Sequence, residues 1–214
     1  MLGHRTILRS AAFGLGLFAA IPLSSADNVL TEWHNVKLPP PPALKPVQVD
    51  PARTALLLFD FTTQTCTVER RPRCAANVPK LEKLLAESRT RGMYVVYSVA
   101  GADSSAKDIL KAIAPAGQDP VLPPLGPDKF LNSEFEKMLK DRGIQTVILT
   151  GTAAQTTVLH TGSAAALRGF KVVVPVDGMS SNDAFGELYT AWHLVNAARI
   201  MNQVTLTTVD MISY

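Results

Sequence analysis

Polar residues follow several apolar runs in this sequence, and these positions are the first candidates for chemistry. Asp60 comes directly after the run at residues 54–59, Gly151 opens a turn after a second run, and Asp177 follows a third. Ligands of open parallel sheets bind outside the carboxyl ends of the strands. An aspartate at such a position can transfer protons, or it can simply accept hydrogen bonds from the backbone, and the residues alone leave both interpretations open.

Strand and helix patterns alternate along the chain and must position these residues. The predicted strands are short apolar runs, typical of strands buried on both faces in a parallel sheet, at residues 54–59, 93–99, 146–150, 171–176 and 204–208. Helical spacing predicts helices between them, at residues 77–92, from 132 or 133 to 142, 158–169, and from a cap at 181 or 182 onward. The alternation predicts an α/β fold with a parallel sheet and helices on both faces.

Particular residues are expected to begin, end or bury these helices. Asn77 is predicted to cap the first helix, and Gly92 to end it in a left-handed conformation. Small residues, among them Gly162 and Ala165, predict that the third helix packs closely on the sheet. The last helix is amphipathic, and its apolar side is predicted to consist of Phe185, Leu188, Tyr189, Trp192 and Val195.

The sequence divides into three segments. Residues 1–26 have basic residues, an apolar run of about 12 residues and then small residues, which is typical of a secretory signal peptide cut after Ala26. An uncleaved anchor is the alternative, although the run is shorter than the roughly 20 residues that a membrane-spanning helix needs. Residues 27–50 contain a proline tract and are expected to form an extended arm. Residues 51–214 are expected to form one domain, with a proline-rich surface loop at 115–127.

Composition restricts the class of protein. The chain has 214 residues, 47% hydrophobic and 18% charged, as in ordinary globular proteins. Removing residues 1–26 takes away two arginines and no acidic residue, so the formal charge falls from +3 to +1. This charge argues against nucleic acid as a partner. A periplasmic or secreted protein without membrane contact after cleavage is expected, and the sequence leaves a homo-oligomer open.

Two cysteines, Cys66 and Cys74, enclose a short loop. An even count in an exported chain predicts a disulfide between them. The alternative is that Cys66 is a free, reactive thiol. The loop also holds Arg70, Arg71 and Arg73, which could attract an anionic substrate but are interpreted here as a solvated turn.

Three motifs, in this order, resemble those of the isochorismatase-like cysteine hydrolases. They are LLLFD at residues 56–60, K-x-x-x-S-x-F at 129–135, and GTAAQTTVLHT with a later RGF between 151 and 170. The likeness extends from about residue 54 to residue 177. It implies a three-layer, Rossmann-like α/β fold and a small-molecule substrate.

The resemblance also implies roles for individual residues. Asp60 would be the general acid or base, Lys129 would lie beside it, and Thr157 would stand where the family has its nucleophilic cysteine. The family often has a non-proline cis peptide in the turn that corresponds to Thr152–Ala153. Thr152, Ala153 and Thr156 of this turn are expected to bind the substrate, and the backbone N–H groups from Ala153 to Thr157 would hold a carboxylate or a developing oxyanion.

The threonine at position 157 changes the expected chemistry. A thiol readily becomes a thiolate at a helix N-terminus, whereas an alcohol is a poor nucleophile without a dedicated base. We therefore expect a hydrolase of small carboxylate or carbonyl substrates that uses Asp60 and Lys129 without a covalent thiol intermediate. The Asp-x-His metal motif of the nicotinamidase branch is missing at residues 97–103, so no metal or other cofactor is expected.

Two alternatives remain. One is a catalytically inactive small-molecule-binding protein of the same fold, which Thr157 favours. The other is acylation of Thr157 itself, with His160 or Lys129 as its base. A histidine packed between helix and sheet is the more common interpretation of His160.

Overall fold

The computed structural model describes residues 28–214, and the contacts between them divide this part of the chain into two units, of which the first ends at Leu38 and the second is Pro39–Tyr214. The predicted signal peptide, residues 1–26, lies outside the described residues. In the first unit, Asn28 caps the short helix α1 (Val29–Glu32), which a 3-10 turn at Trp33–Asn35 follows. The prediction of an extended arm is wrong for this part, because the Asn28 side chain accepts a hydrogen bond from the Leu30 N–H (2.9 Å) and so begins a helix.

The second unit contains nine strands in two sheets. The strands are β1 (Val47–Gln48), β2 (Thr54–Phe59), β3 (Tyr94–Ser98), β4 (Val121–Leu122), β5 (Thr146–Thr152), β6 (Lys171–Pro175), β7 (Met179–Ser180), β8 (Val204–Thr207) and β9 (Ile212–Ser213). The larger sheet has the order β4-β3-β2-β5-β6-β8, with β7 beside the end of β5, and β1 pairs with β9 separately. Every one of these strand pairs is parallel, as predicted.

Helices connect the strands. They are α2 (Pro72–Thr90), α3 (Phe135–Asp141), a π-helical turn (Ala154–Val158) that continues into α4 (Leu159–Leu167), and α5 (Ala184–Asn196). Short 3-10 turns lie at Pro51–Arg53, Ala106–Asp108, Lys111–Ile113, Val176–Gly178, Met201–Gln203 and Val209–Met211. None of the helices within residues 28–214 combines the length and apolar character needed to cross a bilayer.

The sheet lies between two layers of helices. Along the fully buried strand β2, Leu57 and Phe59 belong to one apolar cluster, which includes residues of α3, α4 and α5. Leu56 and Leu58 belong to a second cluster on the opposite face, with residues of α2. Successive side chains of a strand point to opposite faces, so a strand with helices on both sides must be apolar throughout. The predicted three-layer α/β fold is confirmed.

The first helix of the domain begins earlier than predicted. Pro72 occupies its first turn, where the fixed φ of proline suits a helix and its missing N–H is not needed. Asn77, predicted as the cap, lies inside α2 and donates a hydrogen bond from Nδ2 to the Met179 carbonyl (2.9 Å). Gly92 has a positive φ of 68° and ends the helix as expected.

The last helix also differs from its prediction. Asp183 caps α5 by accepting a hydrogen bond from the Gly186 N–H (2.9 Å), so neither 181 nor 182 is the cap. The inward face consists of Gly186, Thr190, Ala191 and Leu194, whereas the large residues Phe185, Tyr189 and Trp192 are exposed. The small residues face inward because the space is narrow: a Cβ at position 186 would lie 2.5 Å from Ser181 Oγ.

Close packing of α4 on the sheet is confirmed at Gly162. A Cβ at this position would lie 3.2 Å from Leu149 Cδ2 of β5 and 3.4 Å from Leu194 Cδ2 of α5. A larger residue here must therefore push the helix away from the sheet.

We expect Gly162→Val to lower the free energy of unfolding by about 1–3 kcal/mol, because it overpacks the interface between α4 and β5. Leu167→Val is the matched control, since it introduces the same residue on the exposed side of the same helix. Urea unfolding measures both. Equal effects of the two substitutions would show that the interface tolerates the extra volume.

Candidate active site

Asp60 lies at the carboxyl end of the central strand β2. Its φ is 64°, a left-handed conformation in which aspartate is among the better tolerated residues. The Asp60 N–H donates to the Ser98 carbonyl (3.0 Å), and the Asp60 carbonyl accepts a hydrogen bond from the Thr65 hydroxyl. The backbone is thus fixed on both sides of the residue, and the carboxylate is directed away from the strand.

Three side chains donate hydrogen bonds to the Asp60 carboxylate. Ser98 Oγ lies 2.7 Å from Oδ1, Thr157 Oγ1 lies 2.7 Å from Oδ2, and Lys129 Nζ lies 3.1 Å from Oδ1 and 3.0 Å from Oδ2. We call these four residues the carboxylate cluster. Asp60, Lys129 and Thr157 are only 2%, 1% and 4% exposed. The structure therefore brings together, in a buried place, the three residues for which the sequence predicted catalytic roles.

Local contacts explain the K-x-x-x-S-x-F motif. Ser133 Oγ donates to the Lys129 carbonyl (2.7 Å), which closes the turn that carries the lysine. Phe135 is fully buried, with its ring 5.9 Å from that of Phe59, the residue before Asp60. The helix α4 holds the same turn from the other side, because Thr161 Oγ1 accepts from the Lys129 N–H (3.2 Å).

The turn after β5 carries Thr157 into the cluster. The peptide bond Thr152–Ala153 is cis, as the resemblance implied. Thr156 is exposed, and its hydroxyl and N–H both donate to the Ala153 carbonyl (3.1 and 3.2 Å). The N–H groups of Ala154 and Gln155 have no acceptor within residues 28–214. Ala154 is fully buried and Gln155 is half-buried, so the Gln155 N–H is the group available to an anionic ligand at this helix start.

Two further residues at the site were not predicted. Ser98 is a polar residue at the carboxyl end of β3, and the rule that identified Asp60 could have identified it too. Arg71, interpreted as part of a solvated turn, is half-buried and donates from Nη1 to Thr152 Oγ1 (2.5 Å) and from Nε to Asn182 Oδ1 (2.9 Å). Burial, followed by the charge of Arg70, lowers the pKa of the Arg71 guanidinium from its ordinary value.

A disulfide holds the segment that carries Arg71. Cys66 and Cys74 are bonded, with a Cα–Cα distance of 5.3 Å, and both are buried. The predicted pairing is confirmed, so Cys66 is not a free thiol in this structure. The bond ties the loop after Asp60 to the first turn of α2.

The other candidate residues lie outside the cluster. Asp177 accepts hydrogen bonds from the Val209 N–H (2.9 Å) and from Lys80 Nζ (2.6 Å), which is a structural role. His160 is exposed, so it is not packed between helix and sheet. Residues 28–214 contain no group of three or more His, Cys, Asp and Glu side chains that could hold a metal ion.

Comparison with known proteins decides the family. The family model described as the isochorismatase domain matches residues 54–208, which include the whole carboxylate cluster. This chain belongs to the isochorismatase family. No curated protein matches the sequence significantly.

Solved structures of the isochorismatase family share the fold. An isochorismatase family protein from Desulfovibrio vulgaris subsp. vulgaris str. Hildenborough is 21% identical, with a TM-score of 0.65 over 74% of this chain and 95% of that one. N-carbamoylsarcosine amidase from Thermoplasma acidophilum is 22% identical, with a TM-score of 0.60 over 74% and 97%. The nicotinamidase PncA from Bacillus subtilis is 17% identical, with a TM-score of 0.64 over 72% and 99%. Relatives in this family are hydrolases, and at these identities the likeness establishes the fold alone.

The buried pair of Lys129 and Asp60 yields a stability prediction. Lys129→Met leaves a buried carboxylate without its counter-charge, and we expect a loss of about 3–5 kcal/mol in the free energy of unfolding. Adding Asp60→Asn in the double variant should restore much of this loss, because the uncompensated charge is then gone.

The control for this double-mutant cycle is Lys137→Met, which removes an exposed lysine paired with Asp141 on the surface of α3. It should change the urea unfolding midpoint very little. If Lys129→Met were no more harmful than Lys137→Met, the buried pair would not be the central contact of the site.

Proposed function

We propose that this member of the isochorismatase family is a hydrolase of small carboxylate or carbonyl substrates, in which Asp60 and Lys129 provide acid-base chemistry without a thiol nucleophile. The observation that carries the proposal is the Asp60 carboxylate, held in a buried place by one ammonium and two hydroxyl groups. Burying charged groups costs free energy, and such groups are concentrated at functional sites.

The contacts favour a general base as the first role of Asp60. An ionised carboxylate can only accept hydrogen bonds. Ser98 and Thr157 contact Asp60 as hydrogen-bond donors, and Lys129 contacts it as a donor that also carries a positive charge. A protonated carboxyl could donate to the hydroxyl of Ser98 or Thr157, but it would leave the charge of Lys129 without a partner.

The proposed reaction needs one water molecule. Asp60 accepts a proton from the water as the water oxygen bonds to the carbonyl carbon of the substrate. The negative charge that develops on the carbonyl oxygen is stabilised by the N–H group of Gln155. The bond to the leaving group then breaks, and Asp60 returns the proton to that group.

Thr157 has a positioning role in this proposal. Its hydroxyl donates to Asp60 Oδ2 (2.7 Å) and thereby fixes the direction of the carboxylate. The same distance would allow Asp60 to act as a base toward Thr157, which is the covalent alternative. His160 is exposed and does not support the version in which it activates Thr157.

A binding protein without activity is the second candidate, and the observation that favours it is Thr157 in place of cysteine. The buried ion pair argues against it, because ligand binding alone gains nothing from a desolvated carboxylate and ammonium.

Hydrolysis of simple esters and amides by the 27–214 protein tests the proposal. We expect Asp60→Asn to lower kcat by about 100-fold or more, because it removes the base while keeping the side-chain shape. Thr157→Val should lower kcat by about tenfold, since it removes one hydrogen bond to a charged group.

Thr156→Val is the matched control, because it makes the same substitution at the exposed neighbouring position, and it should keep the activity of the parent. If Thr157→Val lowered kcat as much as Asp60→Asn does, covalent catalysis by the threonine would be favoured. Amidase activity that appears only in Thr157→Cys would show that threonine has replaced a working thiol. Absence of hydrolysis in every variant of a folded, ligand-binding protein would favour the second candidate.

We also propose that the protein is exported and that its signal peptide is removed after Ala26. The N-terminal pattern and the Cys66–Cys74 disulfide support this, because disulfides persist in oxidising compartments. N-terminal sequencing of the protein recovered outside the cytoplasm should begin at Asp27. Recovery of the full-length chain in the membrane fraction would instead indicate an uncleaved anchor.

A further inference from the structure

Arg71 is a half-buried cation with unused hydrogen-bond donors. A guanidinium has five N–H groups. Two of those of Arg71 donate to Thr152 Oγ1 and Asn182 Oδ1, and the other three have no acceptor within residues 28–214. Both acceptors are neutral oxygens, so these contacts orient the side chain without compensating its charge.

No carboxylate neutralises Arg71 among the residues that the structure describes. Arg73, two residues later, forms an ion pair with Glu187 through two hydrogen bonds. Lys129 is paired with both oxygens of Asp60 and is fully buried. Of these three cations near the site, Arg71 alone has no acidic partner in the described part of the chain.

The strand register places this cation at the same edge of the sheet as the carboxylate cluster. In the pairing of β2 with β5, Phe59 lies opposite Gly151, so the next residues, Asp60 and Thr152, end neighbouring strands. Adjacent strands are about 4.8 Å apart. Since Arg71 contacts the side chain of Thr152, its guanidinium is held at the carboxyl end of β5, the strand next to β2.

Neighbouring segments fix the position of the guanidinium. The Arg71 N–H donates to the Thr67 carbonyl (2.8 Å), and the Arg71 carbonyl accepts from the Cys74 N–H (2.9 Å). The disulfide closes the same loop. Thr152 in turn accepts from Ser180 Oγ (3.0 Å), so the oxygen that orients Nη1 is itself held in place.

We propose that Arg71 binds the carboxylate of the substrate through its unused N–H groups and thereby makes the enzyme selective for small carboxylic acids. This inference rests on the proposed function, in which the hydrolysed bond lies at Asp60. A planar guanidinium matches the two oxygens of a carboxylate, and such charge-assisted pairs are among the strongest hydrogen bonds in proteins. Lys129 is not available for this task, because Asp60 already neutralises it.

Binding of benzoate and benzamide tests the inference, because the two probes have nearly the same shape and differ in charge. Calorimetric titration of the 27–214 protein should show that benzoate binds about 10- to 100-fold more tightly than benzamide. Arg71→Gln should abolish this preference and leave the affinity for benzamide unchanged. Arg71→Lys keeps the charge but loses the planar donor pair, so it should retain only part of the preference.

Arg70→Gln is the matched control, since it removes the same charge from the exposed neighbouring residue and should behave like the parent. Equal loss of preference in Arg70→Gln and Arg71→Gln would overturn the inference, because general attraction by the basic loop would then explain it. A parent protein with no saturable benzoate binding, or with no preference for benzoate, would overturn it as well.

An unchanged affinity for benzamide and an unchanged melting temperature show that Arg71→Gln has not disrupted the binding site. The titration requires no turnover, so its failure is distinguishable from a failure of the hydrolysis experiment.

Discussion

The ion pair between Lys129 and Asp60 is the interaction on which the arrangement of the site depends. Both groups are almost completely removed from water, and such a burial is tolerated only when the charges face each other and the remaining lone pairs find donors. Ser98 and Thr157 supply these donors. The position of one carboxylate therefore constrains three segments of the chain that are far apart in sequence.

The segments that carry Lys129 and Thr157 are held by contacts outside the carboxylate cluster. Ser133 closes the turn before α3, and Thr161 of α4 accepts from the Lys129 backbone on the other side. Gly162, one residue further along α4, lets that helix approach β5 closely. The helix α4 contacts both the sheet and the turn that carries Lys129. The position of Lys129 therefore depends on how closely α4 packs on the sheet.

The disulfide loop gives the site a second charged component with a different character. Lys129 is fully buried and neutralised, whereas Arg71 is half-buried and directed by the neutral oxygens of Thr152 and Asn182. A buried pair suits proton transfer, because low polarity strengthens its electrostatic effects. A partly exposed guanidinium with free donors suits the binding of an anion from solution, and the two proposals assign these two tasks separately.

The sequence alone determined the parallel α/β fold and the strand β2, because apolar periodicity is a local feature of a chain. The roles expected of Asp60, Lys129 and Thr157 followed from the resemblance of three ordered motifs to the isochorismatase family. Only the tertiary structure decided that Ser98 donates to Asp60, that Arg71 reaches Thr152 some 80 residues away, and that the small face of α5 points inward. Helix caps and amphipathic faces depend on what packs against them, and a basic loop is indistinguishable from a solvated turn until its neighbours are known. Propensity and periodicity describe the residues along one segment, whereas contacts between distant segments arise from the packing of the whole domain.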